Sequence, residues 1–398
     1  KVAQALAPTA PGSAPPLTHV HMEGPAAAAA AEPEFEDALE FEDARSDDEE
    51  GSGFAQLPTH LPSGMSSSAS LLAEMEVVRA TFQRGGALPV PLTEAVAKCR
   101  DKMSSEAPPF FAFTRVLSED QRHAVWILFG VCQELASATT MGELNDVRRR
   151  LRRIFNPDLN SSETDLIDVW GALSTALGRY TVIRRPFEDY ADGIASRPGK
   201  GIAFETVDDM LTFAYRNAGV VGLISLPVLA EEVALDPQVV EASIALGIAL
   251  ELTDMLNCVG HHFRLNGVCK LPRECLVRHN IEFPELESNL LQHSTTLVED
   301  PRWLALMQEL LALVGPFIRA AACGGEKLPG GGRVAVRAAV RMCRRMLSRI
   351  EARGYNSLGP HEEMFSWRII GDMAGAVLYS EAEPPEAESG VVWGQGGM

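Results

Sequence analysis

Ser118-Glu119-Asp120-Gln121-Arg122-His123-Ala124-Val125-Trp126-Ile127-Leu128-Phe129-Gly130-Val131-Cys132-Gln133-Glu134-Leu135 is the stretch that decides the fold class. Ser118 with Gln121 three residues on is a capping box, the start signal of a helix. Ala124 to Leu135 is apolar almost all round, and such a helix is buried on most sides. It needs other helices to bury it. Working outward, Leu71, Leu72, Met75, Val78 and Phe82 recur at helical spacing. The same period covers roughly 143–155, 163–180, 206–226, 236–263, 288–296, 301–322, 334–352 and 362–379, with Gly and Pro between, as at Gly359-Pro360. No clean strand alternation and no internal repeat appear. The expectation is an all-α protein with one helical domain over residues 70–380 and a flexible tail over 381–398.

The first 69 residues read differently. Up to Ser70 the chain holds twelve acids against two bases, with Pro-rich stretches, an Ala run and a Ser-rich patch. Such a segment cannot bury enough apolar surface to offset its ordering entropy, and disorder is expected. Within it, Glu34 to Asp43 alternates acids with Phe35, Leu39 and Phe41, either a docking peptide or a solvated acidic tail. The whole chain has 398 residues and a net charge of -19, which argues against nucleic-acid binding. Seven cysteines without a CxxC pair suggest neither a disulfide framework nor a zinc knuckle, and a reducing compartment is expected. No run of 18 apolar residues occurs, so no membrane span is expected. The sequence begins at Lys1, as a processed or partial chain would, and its opening lacks the pattern of a secretory signal.

Four stretches, in order, resemble the squalene and phytoene synthase family, phytoene synthase in particular. Phe110-Phe111 followed by Arg122, Ala124, Trp126 and Cys132 resembles the first motif region. Ala218-Gly219-Val220-Val221-Gly222-Leu223-Ile224-Ser225-Leu226-Pro227-Val228 resembles the small-residue segment of the pocket. Ala245 to Ala249 with Leu252-Thr253, Leu256, Val259-Gly260 and Leu271-Pro272 resembles the second motif helix and its exit. Ile350 to Asn356 resembles the C-terminal signature. The resemblance implies a terpenoid-synthase-like helical bundle around an apolar cavity. It also implies head-to-head joining of two geranylgeranyl diphosphates, with magnesium or manganese held by two Asp-x-x-x-Asp motifs.

Those carboxylates are absent. In register with Trp126 and Cys132, the first motif falls on Ala136 and Thr140; in register with Val259-Gly260, the second falls on Cys258 and His262, with His261 where a Glu is expected. Leu250 and Glu251 replace an Asn-Gln pair, and Arg197-Pro198 stands where an acid is expected. Magnesium prefers hard oxygen ligands, so no such cofactor is expected unless other acids, among them Glu134, Glu251 and Asp254, take over. Phe110, Phe111, Cys132, Ala218, Gly219, Gly222, Leu250, Glu251 and Asp254 are the expected cavity residues. Cys258, His261 and His262, at i, i+3 and i+4, are candidate ligands for a softer metal, with Asp254 one turn earlier. Other candidate contacts are the basic stripes Arg148 to Arg153 and Arg341, Arg345 and Arg349, facing a membrane surface, a protein partner or the acidic tail, or lying as solvated helix faces.

The reading these replacements favour is a non-catalytic scaffold, regulatory or assembly subunit that binds an isoprenoid or carotenoid, its partner an active synthase or a larger assembly. The alternative is a divergent prenyl-diphosphate transferase of phytoene synthase type in carotenoid biosynthesis. By resemblance the address is the chloroplast, with the mitochondrion as alternative.

Overall fold

The computed structural model describes residues 65–81, 93–156, 168–230, 236–292 and 296–359. The docking-peptide residues Phe35, Leu39 and Phe41, the expected helix over 362–379 and the tail over 381–398 lie outside them. All described residues belong to one packed unit.

In chain order the helices open with α1 (Ser68–Thr81), α2 (Thr93–Glu106), α3 (Pro108–Phe113), α4 (Glu119–Ala136), α5 (Met141–Ile154), α6 (Val169–Arg179) and α7 (Arg185–Ala195). The capping box of α4 forms as its sequence demands: the Ser118 hydroxyl accepts from the Gln121 N–H, and Gln121 Oε1 accepts from the Ser118 N–H at 3.0 Å. The Gln121 amide also donates to the Val228 carbonyl at 2.9 Å, tying the start of α4 to a distant helix. Ile127, Val131 and Leu135 are fully buried, which is what the all-round apolar pattern requires. α7 stops three residues before Pro198, whose missing N–H bars continuation.

After β1 (Gly201–Phe204) come α8 (Val207–Ala214), a π-helical turn over Tyr215–Gly219 and α9 (Val220–Leu229). The expected continuous helix over 206–226 is therefore interrupted by the π turn, a distortion that recurs beside functional sites. α10 (Pro237–Asn257) is the central helix, packed against α9, the π turn, α8 and two later helices, α15 (Val314–Gly325) and α16 (Gly330–Ala352). Before those come α11 (Val259–Asn266), β2 (Val268–Pro272), α12 (Arg273–Arg278), α13 (Phe283–Gln292) and α14 (Pro301–Ala312).

Three expectations need correction. The helix expected over 236–263 breaks at Cys258, where φ is -121° and ψ is 28°. The Gly260 N–H donates to the Ser357 carbonyl at 2.9 Å, so a crossing segment takes a bond the helix would have used. The helix expected over 301–322 divides at Leu313, because Pro316 has no N–H and its ring crowds the preceding turn. Two strands exist where none was expected: β1 and β2 pair in parallel, Gly201 with Val268 and Ile202 with Cys269. β2 is buried along its whole length, so it has no alternation to read. Gly267 ends α11 in the left-handed conformation, φ 70°, which leads the chain into β2.

Val207–Leu229 and Pro301–Gly325 are long and apolar enough to cross a bilayer by length and composition alone. In the structure 67% and 50% of their apolar windows are buried among other helices, as core helices are.

Candidate functional site

α10 carries two kinds of surface in succession on one face. Ser243, Leu246, Gly247 and Leu250 wall a cavity of about 190 Å³. Opposite them stand Phe110 and Phe113 from α3, Phe129 and Cys132 from α4, and Ala335, Val336 and Ala339 from α16, with Ala218, Val221 and Gly222 completing the wall. The lining is almost wholly apolar. The close approach behind it has a structural cause: a Cβ on Gly222 would lie 2.2 Å from the Ser243 carbonyl oxygen, and one on Gly247 2.2 Å from that of Ala218. The backbones of α10, the π turn and α9 are thus in direct contact, and only glycine permits it.

Asp254 follows Leu250 by four residues, hence one turn further along the same face. Its Oδ2 lies 3.1 Å from His262 Nε2. Eight residues of straight helix would separate the two Cα atoms by about 12 Å. The break at Cys258 and the reach of both side chains close that gap. One ligand atom each of Asp254, Cys258 and His262 lies within 4.8 Å of the others, and all three residues are buried. The Asn257 amide donates to Cys258 Sγ at 3.3 Å, and Arg353 holds the Asn257 carbonyl at 2.6 Å. His262 Nδ1 is buried with no hydrogen-bond partner. Burial, then the nearby Lys270 ammonium, pushes the His262 imidazole below its ordinary value, against the pull of Asp254. Burial, then Asp254, pushes the Cys258 thiol up to about 12.

Glu251 lies on the adjoining face of α10, its Oε1 3.6 Å from Lys270 Nζ on β2, an ion pair too long for a hydrogen bond. Burial raises its carboxyl above the ordinary range, opposed by Lys270. Lys270 also sits over the Phe213 ring at 5.2 Å. Pattern reading missed this lysine, because its role depends on the unpredicted strand β2.

Phe110, Cys132, Ala218, Gly222 and Leu250 line the cavity. Phe111 instead stacks on Trp126, with ring centroids 5.8 Å apart, and Gly219 packs against Tyr215 and Ile244. Glu251 and Asp254 belong to the polar groups just described rather than to the apolar wall. Cys258 is the joint between α10 and α11 rather than the middle of a helix, and His261 is half-buried with its ring 6.2 Å from that of His262, outside the convergent triad. Ala136 is the buried last residue of α4, and its carbonyl accepts from Arg197 at 3.3 Å. Thr140 is the N-cap of α5, its hydroxyl accepting from the Glu143 N–H. The two first-motif positions therefore fall in different elements. Arg341 is exposed on α16, with Arg345 and Arg349 half-buried. In the other stripe Arg148 pairs with Asp192 at 2.6 Å. His279, which has no partner visible in sequence, lies 2.6 Å from Glu309.

The family motif implies magnesium or manganese. The side chains at the motif positions are a methyl group, which offers no ligand, a hydroxyl committed to a cap, a thiol and an imidazole. That set does not fit a hard six-coordinate cation.

The model of the squalene/phytoene synthase family matches residues 104–369. The chain belongs to the squalene/phytoene synthase family. It is 29% identical over 309 residues to the 15-cis-phytoene synthase of Synechococcus elongatus, covering 72% of this chain and 94% of that one. It is 28% identical over 277 residues to the chloroplastic phytoene synthase 2 of Solanum lycopersicum, covering 67% and 84%. Among solved structures, a dehydrosqualene synthase superposes with TM-score 0.59 at 21% identity over 72% of this chain and 98% of the other. A squalene synthase from Alicyclobacillus acidocaldarius superposes with TM-score 0.58 at 16% identity over 68% and 97%. These two likenesses are of fold, and they bear out the all-α terpenoid-synthase-like bundle.

Proposed function

We propose that this protein binds an isoprenoid chain in the cavity and serves isoprenoid biosynthesis as a divergent prenyl-diphosphate transferase of phytoene synthase type. The observation that carries the reading is the cavity between α3, α4, α10 and α16, almost wholly apolar and walled by segments that match the family. At about 190 Å³ it is smaller than the roughly 300–1,000 Å³ of common small-molecule pockets. A full geranylgeranyl chain needs more room, which rotation of the Phe110, Phe113 and Phe129 rings would supply. Chloroplastic relatives support a plastid address and a place in carotenoid biosynthesis. The mitochondrial alternative finds no support among the relatives reported above.

A second reading rests on a specific observation, the replacement of the motif carboxylates by Ala136, Thr140, Cys258 and His262. It is a non-catalytic subunit that holds an isoprenoid or carotenoid beside an active synthase or in a larger assembly. One experiment separates the two. Purified full-length chain is incubated with geranylgeranyl diphosphate and magnesium or manganese beside an active synthase, and binding of the same diphosphate is measured in parallel. Phytoene or its cyclopropyl precursor above background means a transferase. Binding without product means the non-catalytic subunit. A folded protein that neither binds nor reacts overturns both.

A further inference from the structure

We infer that Asp254, Cys258 and His262 form a binding site for a borderline divalent metal ion, of which zinc is the type. The inference does not depend on the transferase reading. Three donors of the classes zinc accepts, a carboxylate, a thiol and an imidazole, converge within 4.8 Å. They come from the end of one helix, the joint after it and the second turn of the next, so they approach a common point from different directions.

The dimensions fit. Zinc–ligand bonds of about 2.0–2.3 Å in a tetrahedron set neighbouring ligand atoms roughly 3.3–3.8 Å apart. Asp254 Oδ2 and His262 Nε2 stand at 3.1 Å and need to open by only a few tenths of an ångström. The second observation is the imidazole itself. His262 is 98% buried by its 2% exposure, yet its Nδ1 has no hydrogen-bond partner, an unusual state for a buried ring nitrogen. Nε2 is the nitrogen that already faces Asp254, and Nδ1 is the one left without a partner. The surroundings also suit a metal: Asn257 braces the sulfur and is itself fixed by Arg353, as outer partners fix ligands in metal proteins. The positive charge of the nearby Lys270 is paired with Glu251. On binding, the thiol passes its proton to solvent and coordinates as thiolate. The protein supplies three ligands, and the fourth position is left for water or an exogenous oxygen donor.

Two of these ligands stand at the second-motif positions, where the family pattern has aspartates. The substitutions therefore change the donor class from hard oxygen to mixed sulfur, nitrogen and oxygen, and with it the preferred metal.

The test uses cobalt(II) as a spectroscopic stand-in for zinc. Full-length protein, stripped with chelator, is titrated with cobalt(II) and then zinc. The expected result is one equivalent of cobalt giving a near-ultraviolet thiolate charge-transfer band, displaced by zinc and not by excess magnesium. Cys258→Ser abolishes the band, and His262→Gln weakens cobalt binding at least about tenfold. Cys323→Ser, at the exposed cysteine, leaves both unchanged. Far-ultraviolet circular dichroism checks each fold, and His262→Gln serves should Cys258→Ser fail to fold. No thiolate band in the folded wild-type chain, a band that survives Cys258→Ser, or cobalt affinity unmoved in folded His262→Gln overturns the inference.

Discussion

Replacing Gly247 by Ala tests the backbone contact behind the cavity. The new Cβ would meet the Ala218 carbonyl oxygen at 2.2 Å, its carbon at 2.5 Å and Gly219 Cα at 2.6 Å. All three are backbone atoms, so no side chain can swing away. Ordinary contact begins near 3.4 Å, and α10 must retreat from the π turn by roughly 1 Å. Overpacking of this kind costs about 1–3 kcal/mol. Alanine's better helix propensity offsets up to about 1 kcal/mol of that. Three backbone clashes below 3 Å place the cost in the upper part of that range, about 2–3 kcal/mol, so the expected outcome is a net loss of about 1–2 kcal/mol, roughly a five- to thirtyfold change in the folding constant. Gly178 in α6 is the control, since a Cβ there meets nothing within 4 Å. Gly178→Ala should gain up to about 1 kcal/mol from the same propensity term. Urea denaturation followed by circular dichroism reads both, and the midpoints should move in opposite directions. A Gly247→Ala protein at least as stable as wild type would refute the reasoning.

Three further outcomes are expected. Arg264 donates to the carbonyls of Leu358 and Gly359 at 2.8 and 3.1 Å, so Arg264→Ala should speed amide exchange in the residues around 354–359 while leaving α4 as protected as before; equal exchange in both proteins counts against the clamp. Ala339→Phe puts a ring into the cavity, and isoprenoid binding should weaken at least about tenfold, about 1.4 kcal/mol, with the helical signal kept; unchanged affinity would move the ligand elsewhere. The Thr139 backbone N–H, its hydroxyl and the Thr140 N–H hold the Glu143 carboxyl below its ordinary value. The stability this gives is present above that ordinary value and lost as pH falls through the depressed one, so Glu143→Gln should flatten the acid limb of the urea midpoint against pH, and a limb as steep as wild type would speak against a stabilising role for these bonds.

Local order was legible because local chemistry sets it. Ser118 and Gln121 announce the start of α4, and the unbroken apolar face of Ala124 to Leu135 announces its burial. Ala218 to Gly222 was legible only through its resemblance to the family's pocket segment, and the structure shows what its glycines approach. What stayed hidden depends on partners distant in the chain. β1 meets β2 across more than 60 intervening residues, and a four-residue strand carries no pattern of its own. The break at Cys258 is made by Ser357, roughly 100 residues later, which captures the Gly260 N–H. Helical periodicity therefore ran straight through the joint and grouped Cys258 with His261 and His262. The structure keeps Cys258 and His262, joins to them the Asp254 already placed one turn earlier, and leaves His261 outside. Thr140 presents a related case: ungapped spacing reaches it from Ala136, but the turn at Ser137–Thr139 has already ended α4, and the hydroxyl serves the next helix.

The glycine seam gives the cavity one fixed jaw and one movable jaw. Where α10 lies carbonyl to Cβ-less carbon against Ala218 and Gly222, there are no rotamers to adjust, and that side is a rigid gauge. Any accommodation to a longer or bent ligand has to come from the opposite side, where Phe110, Phe113 and Phe129 have torsions to spend. Selectivity for chain length should accordingly change with substitutions on α3 and α4, whereas substitutions along the seam should damage the frame before they retune what it measures.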